Sequence, residues 1–188
     1  MKPHGFTLIE LMVSVTIFIV VMTVSLGALL AMSASDRKAE SVKTIMNNLS
    51  FALESMSRTI RTGYNYTCTG GTPDCNTTPS YRFTFTAANG STVSYCLGSG
   101  TSCGTGTTCT DTNGCRIMRR IGTSGNFEPL TAPEVKVSDL KFYLVGSNPN
   151  DFVQSRVIVT LSGSIATSGT VPTKFELQTS VTQRLYDQ

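Results

Sequence analysis

One uncharged stretch limits what this chain can become. From Leu11 to Met32 the sequence reads LMVSVTIFIVVMTVSLGALLAM, 22 residues without an ionisable side chain. As a helix it rises about 33 Å, enough to cross a bilayer core. A secretory signal has an apolar core of about 7 to 15 residues and a small-residue cleavage site. This run is longer than that, although a weak site can be drawn at Ala31 to Ala34, AMSA. Directly before the run stands Glu10. An ionisable group in a membrane helix costs on the order of 2.5 to 3.5 kcal/mol at the centre and less toward an end, so it needs a partner. The nearest positive groups are Lys2 and His4. A cut after Gly5 would create a new amino group at Phe6, four residues from Glu10. That amine can meet its own carboxylate or that of a neighbouring chain, neutralising both charges inside an apolar assembly. Gly5 leaves the backbone open to a protease; alone, it reads as a flexible break before a helix.

Beyond the apolar run a helical period persists through SASDRKAESVKTIMNNLSFALESMSRTIRTG. Val42, Ile45, Met46, Leu49, Leu53, Met56 and Ile60 recur every three or four residues, opposite Lys38, Lys43, Asn47, Glu54 and Arg61. Arg58 and Arg61 suit the negative end of the helix dipole, and Gly63 is the stop. Residues 6 to 62 thus read as one helix of about 85 Å, with Gly27 the place for a bend. After Gly63 the period becomes two. YRFTFTAANGSTVSYCL is a hairpin turning at Asn89-Gly90, and CRIMRRI, VKVSDLKFYLVG, SRVIVTLSG and KFELQTSVTQRL supply further strands. A helix followed by strands predicts an α+β head, an antiparallel β-sheet on which the amphipathic half of the helix packs. The expected organisation is a leader at 1–5, an apolar helix at 6–32, its amphipathic continuation at 33–62, and a β-sheet head at 63–188 with a cysteine-rich loop at 98–115.

All six cysteines, Cys68, Cys75, Cys96, Cys103, Cys109 and Cys115, fall within 48 residues. A zinc site wants short paired spacings and usually histidine, whereas here six, six and five residues separate Cys68 from Cys75, Cys96 from Cys103 and Cys109 from Cys115, and the single histidine is His4. Disulfides in an oxidising compartment are the better reading. Nearest-neighbour pairing closes three small polar loops, and crossed pairings stay open. The stretch GSGTSCGTGTTCTDTNGC has no apolar side chain other than cysteine, so disulfides must hold it. It is a stapled surface loop, with or without a ligand.

At GFTLIELMV, Gly5 to Val13, behind the basic leader MKPH and ahead of the apolar helix, the sequence resembles the type IV pilin family of pilins and pseudopilins. The resemblance implies cleavage by a prepilin peptidase after Gly5, N-methylation of Phe6, and a role for Glu10 in pairing with the N-terminus of an adjacent subunit. It further implies a single-pass prepilin in the cytoplasmic membrane, head outward, in contact with lipid and an inner-membrane assembly platform before it joins other pilin or pseudopilin subunits. Many pilins carry a proline in the first half of the helix, and this chain has none there. Less specifically, EPLTAPEVKVSDLKFYLVG and FELQTSVTQRLYDQ resemble minor pilins and minor pseudopilins, and a major, shaft-forming subunit stays open.

Little here suggests chemistry. Without His4 the mature chain lacks histidine, which removes Ser-His-Asp and Cys-His arrangements. Glu128, Glu134, Asp139 and Asp151 show no acid–base spacing. No enzyme, cofactor or metal is expected. Asp111 to Gly114, DTNG, looks like part of a calcium loop but lacks the remaining ligands. The net charge of +3 makes no case for nucleic acid. Some minor pilins of competence systems bind DNA, and a similar contact would fall on Arg116, Arg119 and Arg120; strand alternation puts Arg119 on the opposite face from the other two. The competing reading is a single-pass anchor carrying a disulfide-bonded binding domain, for DNA, a sugar or another surface ligand, that never assembles.

Overall fold

The computed structural model describes residues 5, 7–109, 111, 114–148, 152–165 and 173–184. Two compact units emerge, Met1–Lys43 and Thr44–Gln188, with the boundary inside one long helix, α1, Leu8–Arg61. Phe6 and the residues before Gly5 lie outside the described residues.

In the first unit α1 is apolar all round from Leu11 to Met32, and its large apolar side chains are exposed from Leu8 to Met32. The helix continues through Gly27 without a break, so the expected bend is not needed to end a hydrogen-bonded segment. Its hydroxyls are satisfied locally. Ser14 donates to Glu10 O at 2.7 Å, Thr16 to Val13 O at 2.8 Å, Thr23 to Val20 O at 2.9 Å and Ser25 to Val21 O at 2.8 Å. Such back-bonding leaves few polar groups wanting water.

In the second unit the rest of α1 packs through Ile45, Leu49, Ala52, Met56 and Ile60. This stripe differs from the one expected. Met46 is 36% exposed and Leu53 and Val42 are only half-buried, because the buried line steps by four, three, four and four residues and so passes through Ala52. Small Ala52 allows close approach, which counting only large apolar residues misses. At the helix end Tyr66 Oη donates to Ile60 O at 2.6 Å, and Arg184 N–H donates to Arg61 O at 2.9 Å. Gly63 follows because a Cβ there would collide with the Phe85 ring.

The strands form two antiparallel sheets rather than one. The first has β1 (Tyr64–Thr67), β2 (Arg82–Thr86), β3 (Thr92–Ser99), β5 (Arg116–Ile121) and β6 (Glu128–Pro129) in that order, with β4 (Ser102–Cys103) also paired to β3. The second runs β7 (Val135–Val145), β8 (Arg156–Ile165), β9 (Thr173–Thr182). The β2–β3 hairpin turns at Asn89-Gly90 as expected, with Gly90 at φ 81° and its N–H donating to Ala87 O at 2.8 Å. Phe83 and Phe85 of β2, Tyr95 of β3 and Phe142 of β7 are fully buried and stack in a row, Phe83 meeting Phe142 of the other sheet at 5.6 Å between centroids. In β7 a bulge between Val137 and Asp139 shifts the alternation, so that Val137 and Leu140, three apart, both face the core.

What joins the sheets is the outer edge of β7. Ser80, just ahead of β2, exchanges two backbone hydrogen bonds with Phe142 at 2.9 and 3.0 Å, and Cys75 N–H donates to Leu144 O at 3.0 Å. Farther along, Leu140 N–H donates to Thr107 O at 2.8 Å, Cys109 N–H to Ser138 O at 2.7 Å and Val137 N–H to Cys115 O at 2.9 Å. The polar loop is therefore not a free display loop along its whole length; its Thr107–Cys109 stretch is laid against β7. The disulfides are Cys68–Cys75, Cys96–Cys103 and Cys109–Cys115, the nearest-neighbour pattern. Two of them hold the segments that pair with β7. On the outer face of the first sheet, Cys96, Met118 and Phe127 form a small separate core with Cys103 against it.

Each disulfide closes a short loop, for which chain entropy predicts about 2.5 kcal/mol. Replacing Cys68 and Cys75 together by serine should lower the unfolding free energy by about that amount, read as a fall in the urea midpoint without loss of the β-sheet circular dichroism signal.

Among the described residues the buried Tyr95 hydroxyl has no partner in hydrogen-bonding geometry; Thr59 lies close enough to act on it but donates to Ser55 O at 2.8 Å. Burial raises the Tyr95 pKa, against smaller opposing effects of Thr59 and Arg119. Lys141 is also raised, chiefly by its hydrogen bond to Asp139. A raised folded-state value means stabilisation complete below the unfolded value, about pH 10, and lost as pH climbs through the folded one. Stability should thus fall above about pH 10. Tyr95→Phe, which removes an unpartnered buried hydroxyl, should keep or raise stability at pH 8 and flatten the alkaline loss, measured as urea midpoints from pH 8 to 11.

Candidate N-terminal processing and assembly site

The site lies at the start of α1. Gly5 is exposed, and among the described residues a Cβ there would meet nothing within 4 Å. The helix begins at Leu8, with Leu11 N–H donating to Thr7 O at 3.2 Å. Glu10 sits in this first turn, where a negative charge complements the helix dipole. Its Oε2 accepts from Thr7 Oγ1 at 3.4 Å, and no ion pair involves Glu10 among the described residues. The carboxylate thus leans back toward residue 7, where Thr7 is its hydrogen-bond donor among the described residues.

Thr7 is the member of this group that sequence reasoning missed. The signal was there: Thr7-x-x-Glu10 has the spacing of a capping box. Here the contact is side chain to side chain, and its length makes it weak. Its effect is to bias the carboxylate toward the chain start. Phe6, the residue expected to carry the new amine, lies outside the described residues.

The other expected site residues lie in the head. Arg116, Arg119 and Arg120 are on β5, opposite Gly98, Tyr95 and Ser94 of β3. Arg120 stacks over Phe127 at 4.7 Å, where Arg82 from β2 joins it at 5.8 Å. Arg119 stands on the other face, beside Tyr95 and opposite Glu128. The three arginines of the cluster do not converge. At Asp111–Gly114 a turn closes by Gly114 N–H donating to Asp111 O at 3.0 Å, and Thr112 and Asn113 lie outside the described residues. No group of three or more His, Cys, Asp or Glu that could hold a metal exists among the described residues.

Residues 1–26 match the family model described as the prokaryotic N-terminal methylation motif. The match spans Gly5, Phe6 and Glu10 and the apolar run as far as Leu26, and it supports a type IV pilin-like prepilin with a class III signal. No curated protein and no solved structure matches the chain. Among the described residues α1 is long and apolar enough to cross a membrane by length and composition, which fits a membrane-anchored pilin.

Thr7→Val removes the hydroxyl while leaving Glu10 in the first turn. The helix should still start near Leu8 but lose at most about 0.5 kcal/mol at its end, seen as no more than roughly twofold faster amide exchange at Leu11 and the residues just after it, the first whose N–H groups bond back along the helix, in micelles.

Proposed function

We propose that this chain is a structural subunit, a minor pilin or pseudopilin, of a type IV pilus, type II secretion pseudopilus or competence filament. The observation that carries the reading is the methylation motif at residues 1–26, with an exposed Gly5 and a first-turn Glu10 ahead of a charge-free helix. Prepilin peptidase removes the five-residue leader, Phe6 becomes the methylated N-terminus, and Glu10 meets the amino group of an adjacent subunit. Its role is mechanical rather than catalytic. An ion pair formed as both chains leave lipid for a packed helix bundle replaces two separately costly charges by one neutral pair. The lateral contacts come from the apolar helix, whose exposed Leu, Ile, Val, Met and Phe side chains are otherwise unpacked within the chain. A head stiffened by three disulfides suits a part that must keep its shape outside the cell.

Co-expression with a prepilin peptidase and the other filament subunits tests this directly. The wild type should begin at methylated Phe6 by intact mass and co-purify with sheared filaments. Glu10→Ala should be cleaved as efficiently and be depleted from filaments at least tenfold. A chain that keeps Met1 beside an active peptidase, or a Glu10→Ala chain incorporated normally, would overturn the assignment. The first outcome would favour a plain anchor for a binding domain.

A further inference from the structure

A strand at the edge of a sheet templates another strand unless something blocks it. Among the described residues, and besides the two-residue β4 beside β3, four terminal strands bound the two sheets, and three are blocked. β1 is four residues long, its register with β2 breaks between Tyr64 and Thr67, and Asn65 sits at φ 56°. β6 is two residues and ends in Pro129, which has no N–H. β7 is covered by Cys75, Ser80, Thr107, Cys109 and Cys115. β9 is built differently. It runs ten residues in unbroken register with β8, from Arg156↔Thr182 to Ile165↔Thr173, with no proline and no bulge. Its only charges are Lys174 and Glu176. Among the described residues no strand pairs with its outer edge.

We propose that β9 pairs with β9 of a second copy of this chain, antiparallel about a twofold axis at Gln178. An isologous contact of this kind requires a self-complementary strand, and β9 is one. In this register Lys174 faces Thr182, Glu176 faces Ser180 and Gln178 faces its own copy, so no like charges oppose each other. On the core-side face Phe175 meets Val181, an aromatic against a β-branched residue, and Leu177 meets Thr179. Leu177 and Thr179 are only half-buried in the single chain, and the incoming strand covers them. Moving the axis to Glu176 or to Lys174 sets a charge against its own copy, which the sheet penalises. The pairing needs a folded head and is independent of leader cleavage and filament entry, so it stands or falls apart from the pilin reading.

Single cysteines in the full-length, detergent-extracted protein test the register, since the six native cysteines are all paired and each added thiol is the only free one. Gln178→Cys should form a covalent dimer on mild air oxidation, because facing residues at the axis lie about 5 Å apart at Cβ. Glu176→Cys alone should not, its two copies being offset by four residues, about 13 Å along the strand. A mixture of Glu176→Cys and Ser180→Cys should give the mixed dimer. Gln178→Lys, which puts two positive charges face to face, should lower the dimer fraction at least tenfold in sedimentation velocity, and its urea midpoint should equal the wild type's only at dilutions where both are monomeric. A wild type that is monomeric at every concentration, or Glu176→Cys cross-linking as readily as Gln178→Cys, would overturn the proposal.

Discussion

The backbone pairing along the outer edge of β7 is the constraint on which the head depends. Neither sheet is closed, and each has a face that must be buried. Ser80 leads into β2 and Cys115 leads into β5, so both strands of the first sheet begin where they are hydrogen-bonded to the second. This fixes the relative position of the sheets within the head, and with it the row of rings from Phe142 through Phe83 and Phe85 to Tyr95. The pairing segments are rich in Gly, Thr and Ser and bury little of their own, so they cannot hold this position by apolar contact. Cys68–Cys75 and Cys109–Cys115 limit where those segments can go, which makes the seam a joint product of covalent and hydrogen bonds.

The same helix serves two solvents. As far as Met32 its large apolar side chains are exposed within the chain and its hydroxyls turn inward to their own backbone, a composition suited to lipid or to other helices. From Ile45 onward it presents a narrow stripe to the head and leaves Glu54 and Arg58 paired at the surface at 3.2 Å. That surface pair contributes little. The packing of Leu49, Met56 and Ile60 does the holding, and Asn48 adds a polar tie by accepting from Ala132 N–H at 3.0 Å.

Much of this was legible in the residues. Local patterns were the readable part: the uncharged run, the Asn89-Gly90 hairpin, the strands of period two, the short cysteine loops and the N-terminal motif. What was not legible depends on contacts distant in sequence. Nothing in the alternation of β2 or β5 says that their leading residues cross to another sheet, because Ser80 and Thr107 bond through the backbone and carry no hydrophobic signal. The bulge was written as the three-residue step from Val137 to Leu140, yet a period-two reading passes over it. Met46 was drawn into the buried stripe by its size, although Ala52 occupies the line that meets the sheets. At the site, Gly5 and Glu10 stood out by spacing and charge, while Thr7 did not, a threonine at a helix start being common.

The inward-turned hydroxyls of Ser14, Thr16, Thr23 and Ser25 have a consequence for how the apolar segment can recognise anything. Leu, Ile and Val side chains slide over one another with small changes in energy, and back-bonded hydroxyls offer no strong directional preference to a neighbour. Among the described residues from Leu8 to Met32, Glu10 carries the one ionisable side chain, and so the one strong directional charge of that cylinder. The segment is therefore greasy in bulk, with its one charged side chain at its start.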